Sequence, residues 1–172
     1  SYGETTAHLA SLFAQGTGII ALCASGIVIR ALAAHVSDKF DEPPVLTVSR
    51  DGASIVPLLG GHHGANEIAD LLADRLKAHA AITTAGDCRF KLALDNPPQG
   101  WALQHPRTAG PIMARLIDGA ALQADVELNW LSRSEITLKE TADLKAVSTI
   151  KAQPASQDIL IYSPKSLAVG VG

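Results

Sequence analysis

Short apolar runs that alternate with amphipathic segments constrain the fold of this chain more than any other feature of its sequence. Buried strands are predicted at the short apolar runs over residues 18–23, 45–49, 53–59 and 81–84. Apolar residues at helical spacing predict helices over residues 4–14, 27–36 and 66–79. The resulting order αβαββαβ predicts a layered α/β/α domain with a largely parallel sheet.

The second half of the chain changes in composition and predicts a smaller α/β unit. Residues 95–100 form a cluster of residues that break helices and strands. Beyond it we predict a helix over residues 108–116, capped by Thr108 and ended by Gly119. Strands are predicted over residues 120–128 and 159–162.

These patterns predict the organisation of the chain into domains. The first domain is predicted over residues 1–87, and a smaller middle domain over residues 88–164. Residues 166–172 form an apolar run that enters a glycine turn. We therefore expect residues 165–172 to begin a truncated carboxy-terminal domain.

Composition excludes several classes of function and predicts a cytoplasmic protein. The net charge is −3, so no basic excess indicates a nucleic-acid partner. The longest apolar run, residues 17–29, is too short to span a bilayer, and no signal peptide is recognised. The two cysteines, Cys23 and Cys88, lie far apart, which argues against a disulfide framework and fits a reducing compartment.

The segment Leu58-Leu-Gly-Gly-His-His-Gly-Ala-Asn66 is the most informative motif. It is predicted to run from a strand end through a flexible loop into a helix, where backbone amides can approach an anion. The candidate site residues are Gly60, Gly61, Gly64, His62, His63 and Asn66, the last as N-cap or as side-chain donor. A tight turn with solvated histidines is an equally good interpretation, and the spacing does not predict a metal site.

Three further residues are candidates because each stands in or shortly after a loop that lies beside a strand or helix end. Arg30 follows the turn at residues 24–26, and loops after parallel strands gather at one end of a sheet. Its guanidinium could bind carboxylates, although a surface salt bridge is the simpler interpretation. Lys39 lies in a proline-stiffened loop that could bind a ligand or simply be solvated. Asp87 could orient a histidine or cap a helix.

Four strings together resemble the cobalt-precorrin-5A hydrolase (CbiG) family. They are Gly26-Ile-Val-Ile-Arg30, the Lys39/Asp41 loop before Pro-Val-Leu-Thr-Val, Leu59-Gly-Gly-His-His-Gly-Ala-Asn66 and Ile82-Thr-Thr-Ala-Gly-Asp87. The resemblance is strong over residues 17–87 and looser through the middle segment to residues 167–172. The family's loop has a serine where Gly60 stands and one more glycine. Residues 94–101 are similar to the variant that is fused to a precorrin-3B carbon-17 methyltransferase.

The resemblance implies a role in cobalamin biosynthesis, as a hydrolase that opens the δ-lactone of cobalt-precorrin-5A and releases acetaldehyde. His62 or His63 would be the general base, the loop amides would stabilise the oxyanion, and Asp87 would orient a histidine. Arg30 and Lys39 would bind the carboxylates of the tetrapyrrole. Cobalt would arrive with the substrate, so no protein-bound cofactor or metal is expected.

Two other classes of function stay open at this stage. One is a non-catalytic module that binds a corrinoid or packs against a fused methyltransferase. The other, weaker one is a nucleotide- or phosphate-binding domain. Neither nucleic acid nor a membrane is expected as a partner.

Overall fold

The computed structural model describes residues 2–165, apart from the side chains of Tyr2, His62 and Asp87. The chain divides into two compact units, Ser1–Thr84 and Ala85–Gly172. Among the described residues, no helix combines the length and the apolar character that crossing a membrane requires. The expected start of a carboxy-terminal domain falls on residues 165–172 and lies, except for Lys165, outside the described residues.

The first unit has the predicted order of elements. Its helices and strands are α1 (Tyr2–Ala14), β1 (Ile19–Leu22), α2 (Ser25–Leu32), β2 (Val45–Val48), β3 (Ser54–Leu59), α3 (Ala65–Leu76) and β4 (His79–Ala80), with a short 3₁₀ helix at Gly61–His63. The sheet order is β1-β2-β3-β4. β1 pairs parallel to β2 and β3 parallel to β4, whereas β2 and β3 are antiparallel.

Helices cover both faces of this sheet, so the first unit is the predicted three-layer α/β/α sandwich. On one face α1 and α2 bury a cluster that contains Phe13, Val28, Leu32 and Val45. On the other face α3 packs its small residues, among them Ala69, against the alternate side chains of β2 and β3. Successive residues of a strand point to opposite faces, which is why neighbouring residues of β2 belong to different clusters.

Helix ends explain which predicted boundaries are right. α1 ends at Ala14, where the predicted helix also ends. Beyond it Gly16, with φ +70°, donates its N–H to the Phe13 carbonyl, and Thr17 donates to the Leu12 carbonyl, which together form a Schellman motif. The helix predicted over residues 66–79 ends earlier, because Lys77 adopts a left-handed conformation. The chain therefore enters the sheet at His79, and the strand predicted over residues 81–84 is wrong, because β4 begins two residues earlier and ends four residues earlier.

The second unit has a sheet of its own. Its elements are α4 (Ala85–Phe90), β5 (Trp101–Leu103), α5 (Ala109–Ile117), β6 (Leu122–Ala124), β7 (Leu144–Ser148) and β8 (Ile159–Pro164), with 3₁₀ helices at Pro106–Thr108 and Val126–Arg133. The order is β5-β8-β7-β6, in which only the β5–β8 pair is antiparallel. In each sheet two of the three described pairings are parallel, which confirms the α/β class with largely parallel sheets.

Two predictions for this half are corrected, and three elements were missed. Thr108 is not a side-chain cap, because its hydroxyl donates to the His105 carbonyl instead. The strand predicted over residues 120–128 covers only Leu122–Ala124, since the chain turns into a 3₁₀ helix after Asp125. β5, β7 and α4 were not predicted. Gly119 does end α5, donating to the Leu116 carbonyl with φ +99°.

Tyr162 is a polar residue buried in the hydrophobic core of the second unit. Its side chain is fully buried, its ring meets that of Trp130 edge-to-face at 5.2 Å, and its hydroxyl donates to the Leu94 carbonyl at 2.8 Å. Burial, assisted by the negative charge of Asp95, raises the pKa of the phenol above its ordinary value. The folded protein therefore keeps this proton where the unfolded chain loses it.

We predict that Tyr162→Phe lowers the free energy of unfolding at pH 7 by about 1–3 kcal/mol, because a buried carbonyl loses its donor. The loss should shrink by about 1.4 kcal/mol per pH unit above about pH 10, since only the unfolded wild-type chain ionises at this position. Urea denaturation followed by tryptophan fluorescence measures this, because both tryptophans lie in the second unit. A loss that does not change with pH would contradict the assignment.

Candidate functional site

The topology of the first sheet decides which loops meet. Leu59 pairs with Val45, which in turn pairs with Ile19, so the glycine loop after β3 lies where β1 and β2 begin. We call this the glycine-loop end of the sheet. The opposite end, where β1 and β2 finish and Ser25 starts α2, is called the Ser25 end.

Gly60 fits the glycine loop tightly against the segment that enters β2. Its φ is +70°, and an ideal Cβ at this position would lie 2.4 Å from the Pro43 carbonyl oxygen and 2.6 Å from the Pro44 Cα. No side chain can be accommodated there without moving backbone. The carbonyl of Gly60 also accepts the N–H groups of His63 and Ala65, which closes the loop.

His63 joins the same two segments through its side chain. Its Nδ1 lies 2.5 Å from the backbone carbonyl oxygen of Glu42, while the residue is exposed. A carbonyl can only accept, so this hydrogen bond requires a proton on Nδ1. In the neutral ring, Nε2 is then the atom with the lone pair, which is the form of histidine that can take a proton.

Asn66 and Thr84 lie close to the backbone of the glycine loop and contact each other. The Asn66 Nδ2 donates to the Thr84 hydroxyl at 2.7 Å, and Asn66 is buried. An ideal Cβ on Gly61 would lie 3.9 Å from both side chains, so the loop backbone lies close to them. Gly64, with φ +92°, is the N-cap of α3. Asn66 is therefore a side-chain donor, and its prediction as N-cap is wrong.

The expectation that both loops gather at one end of the sheet is wrong. β2 and β3 are joined by a short turn, which makes them antiparallel and sends the glycine loop to the end opposite Ser25. Arg30 donates from Nη1 to the Gly26 carbonyl at 2.9 Å, so its guanidinium points back toward the Ser25 end. The structure therefore does not bring Arg30 together with His63.

Lys39 belongs to the loop that does reach the glycine-loop end. Its Nζ lies 4.9 Å from the centre of the Phe40 ring. Asp38 accepts the N–H groups of Phe40 and Asp41, through its carboxylate and its backbone carbonyl respectively, which makes the loop a compact turn. The loop ends at Pro43 and Pro44, against which Gly60 packs.

Two predicted site residues are only partly described. His62 stands in the 3₁₀ helix Gly61–His63, and Asp87 in α4 of the second unit, but neither side chain is described. Within the described part of the chain, no group of three or more His, Cys, Asp or Glu could hold a metal ion.

Two residues were missed as parts of this site. Glu42 contributes a backbone carbonyl, which every residue type has, so its side chain gave no signal. It nevertheless stands in the loop that was singled out for Lys39. Thr84 was treated as part of a strand. Its position just after the strand that follows α3 is the signal that could have placed it beside the glycine loop.

Residues 7–87 match the family model described as "Cobalamin synthesis G N-terminal". The matched segment covers nearly all of the first unit. The described fold and the paired loops at the glycine-loop end therefore lie in a segment that is similar to this family.

Curated relatives extend the similarity beyond this domain. The chain is 27% identical to a cobalt-precorrin-5A hydrolase from Priestia megaterium, over 99% of this chain and 52% of that protein. It is 42% identical to a cobalt-precorrin-5A hydrolase from Salmonella typhimurium, over 48% of this chain and 24% of that protein. A probable cobalt-precorrin-5A hydrolase from Methanocaldococcus jannaschii is 26% identical, over 90% of this chain and 47% of that protein. The chain thus spans about half or less of these relatives.

We predict that Gly60→Ala destabilises the first unit by more than Gly52→Ala does. Both glycines have φ near +70°, so both variants incur a left-handed strain of about 1–2 kcal/mol. Of the two, Gly60 faces backbone, whereas among the described residues nothing beyond its own chain neighbours lies within 4 Å of a Cβ on Gly52. Overpacking should add about 1–3 kcal/mol at Gly60, measured by urea denaturation followed by circular dichroism. Equal losses would show that the packing of Gly60 on Pro43 contributes nothing.

Proposed function

We propose that this chain acts in cobalamin biosynthesis and hydrolyses the δ-lactone of cobalt-precorrin-5A, with loss of the two-carbon bridge as acetaldehyde. The family of residues 7–87 and the names of the relatives support the pathway. The observation that supports the chemistry is the exposed His63, whose Nδ1 is held by the Glu42 carbonyl. Cobalt belongs to the substrate in this proposal.

His63 is the proposed general base. Its Nε2 takes a proton from a water molecule while the water oxygen forms a bond to the lactone carbonyl carbon. The tetrahedral intermediate collapses by breaking the bond between the acyl carbon and the ring oxygen. The alkoxide left on the two-carbon bridge becomes the carbonyl of acetaldehyde as the carbon–carbon bond between the bridge and the macrocycle breaks. The electron pair of that bond passes to the macrocycle, which takes the proton from Nε2, so one water is consumed and the base is regenerated.

The residues around His63 supply the rest of the proposed site. Backbone amides of the loop from Gly60 to Gly64 stabilise the oxyanion, since two left-handed glycines let a ligand approach the backbone. Lys39, in the neighbouring loop, binds a peripheral carboxylate of the tetrapyrrole. Arg30 is not part of this set, because it points to the Ser25 end. Asp87, which lies in the second unit, has no part in this proposal.

We predict that His63→Gln lowers kcat for lactone opening by about 10²–10⁴-fold, the usual contribution of a general base. The control is His79→Gln, because His79 is also exposed but pairs with Ser54 at the Ser25 end. Acetaldehyde released from cobalt-precorrin-5A measures the activity. Full activity in His63→Gln would remove His63 from the mechanism.

A double variant tests whether His62 shares the role of His63. Replacing both with alanine should abolish lactone opening and leave the circular dichroism spectrum unchanged, because the 3₁₀ turn is closed by backbone hydrogen bonds. Retained hydrolysis in the double variant would contradict the use of either imidazole.

Binding without turnover is the outcome that favours a different function. If the wild-type chain binds cobalt-precorrin-5A but releases no acetaldehyde, it is a non-catalytic corrinoid-binding module. The hydrolase proposal would then be wrong for this chain.

A further inference from the structure

We propose that Glu42 is a positioning residue that fixes the tautomer of His63. Its backbone carbonyl accepts from Nδ1, and its buried carboxylate holds the loop that presents this carbonyl. The consequence for catalysis rests on the proposed function, whereas the tautomer itself follows from the contacts of the first unit.

The carbonyl of Glu42 selects one of two nearly equivalent forms of the ring. A neutral imidazole carries its proton on either nitrogen, and the hydrogen bond made by one nitrogen decides which form is present. With Nδ1 donating to the Glu42 carbonyl, the lone pair of His63 lies on Nε2, at the far side of the ring. That atom is the one that an exposed ring can present to a ligand.

The carboxylate of Glu42 holds this carbonyl in place. Glu42 is only 6% exposed, which is unusual for a glutamate, and its Oε1 accepts the backbone N–H of Ser37 at 3.3 Å. This hydrogen bond closes the loop between α2 and β2 across five residues. Removing the carboxylate frees the loop at its base, so the carbonyl is no longer fixed relative to His63.

Gly60 restrains the same segment from the other side. The absence of a Cβ lets the glycine loop lie directly on the backbone of Pro43 and Pro44, which follow Glu42. Both proline rings restrict φ, so the segment that carries the Glu42 carbonyl is stiff on its carboxyl side. The Ser37 hydrogen bond provides the corresponding restraint on its amino side.

Glu42 acts through His63 rather than on a substrate. Its carboxylate is engaged with Ser37, so it is not assigned a proton-transfer step. The role of Glu42 therefore differs from that of a second general base. Its effect is best measured on the ring of His63.

The experiment measures the tautomer of His63 directly by NMR of the chain labelled with ¹⁵N-histidine. The spectra are recorded at a pH that is high enough for histidine to be ordinarily neutral. The His63 signals are assigned by their absence in His63→Gln. We expect the proton on Nδ1 in the wild type and in Glu42→Gln, whose amide oxygen can still accept from Ser37. We expect the ordinary preference of imidazole for a proton on Nε2 to return in Glu42→Ala.

Glu42→Asp is the second variant, in case the alanine variant does not fold. It keeps the charge but is one methylene too short to reach Ser37, so it should also shift the tautomer toward Nε2–H. A proton on Nε2 in the wild type would overturn the proposal. So would an unchanged tautomer in a folded Glu42→Ala or Glu42→Asp.

Kinetics separates this inference from the proposed function. With cobalt-precorrin-5A, Glu42→Asp should lower kcat about tenfold and leave KM within about twofold, because the base is misaligned but substrate contacts are kept. Unchanged kcat despite a shifted tautomer would overturn the role of Glu42 in catalysis. A shifted tautomer in a chain that never hydrolyses the lactone would confirm the positioning and contradict only the hydrolase.

Discussion

The contact between the glycine loop and the segment that enters β2 is the constraint on which the site depends. Gly60 lies against Pro43 and Pro44 at a distance that no residue with a Cβ could adopt. The hydrogen bond from His63 to Glu42 spans the same junction. Because both interactions involve the backbone of residues 42–44, the position of the histidine follows from the packing of main chain on main chain.

The two faces of the first sheet pack against different kinds of side chain. One face is covered by α1 and α2, which bury large aliphatic and aromatic side chains and anchor the sheet. The other is covered by α3, whose alanines allow a close approach to the strands. Since α3 begins directly after the glycine loop, its packing fixes the loop as well, and Asn66 extends this to the segment after β4 through Thr84.

Much of the first unit could be predicted from its residues, and the reason is local. Each strand is a short apolar run and each helix has one apolar face, so the order of elements follows from periodicity alone. The glycine loop and the Lys39 loop could also be singled out, because glycines extend the conformational freedom of the backbone and prolines restrict it. The contribution of Glu42 could not be predicted, because any residue supplies a carbonyl and only the fold decides which one meets His63.

The α/β class, the glycine turns and the histidines at a strand-to-helix junction follow from the residues alone, because each depends on a local pattern. Which loops share one end of the sheet depends instead on how the strands pair in the folded chain. The short turn at residues 49–53 reverses the chain, with Asp51 accepting from Ser49 and Ala53, so β3 runs against β2. This single antiparallel pairing separates Arg30 from His63 and joins His63 to Glu42, because strand direction determines the end at which each loop emerges.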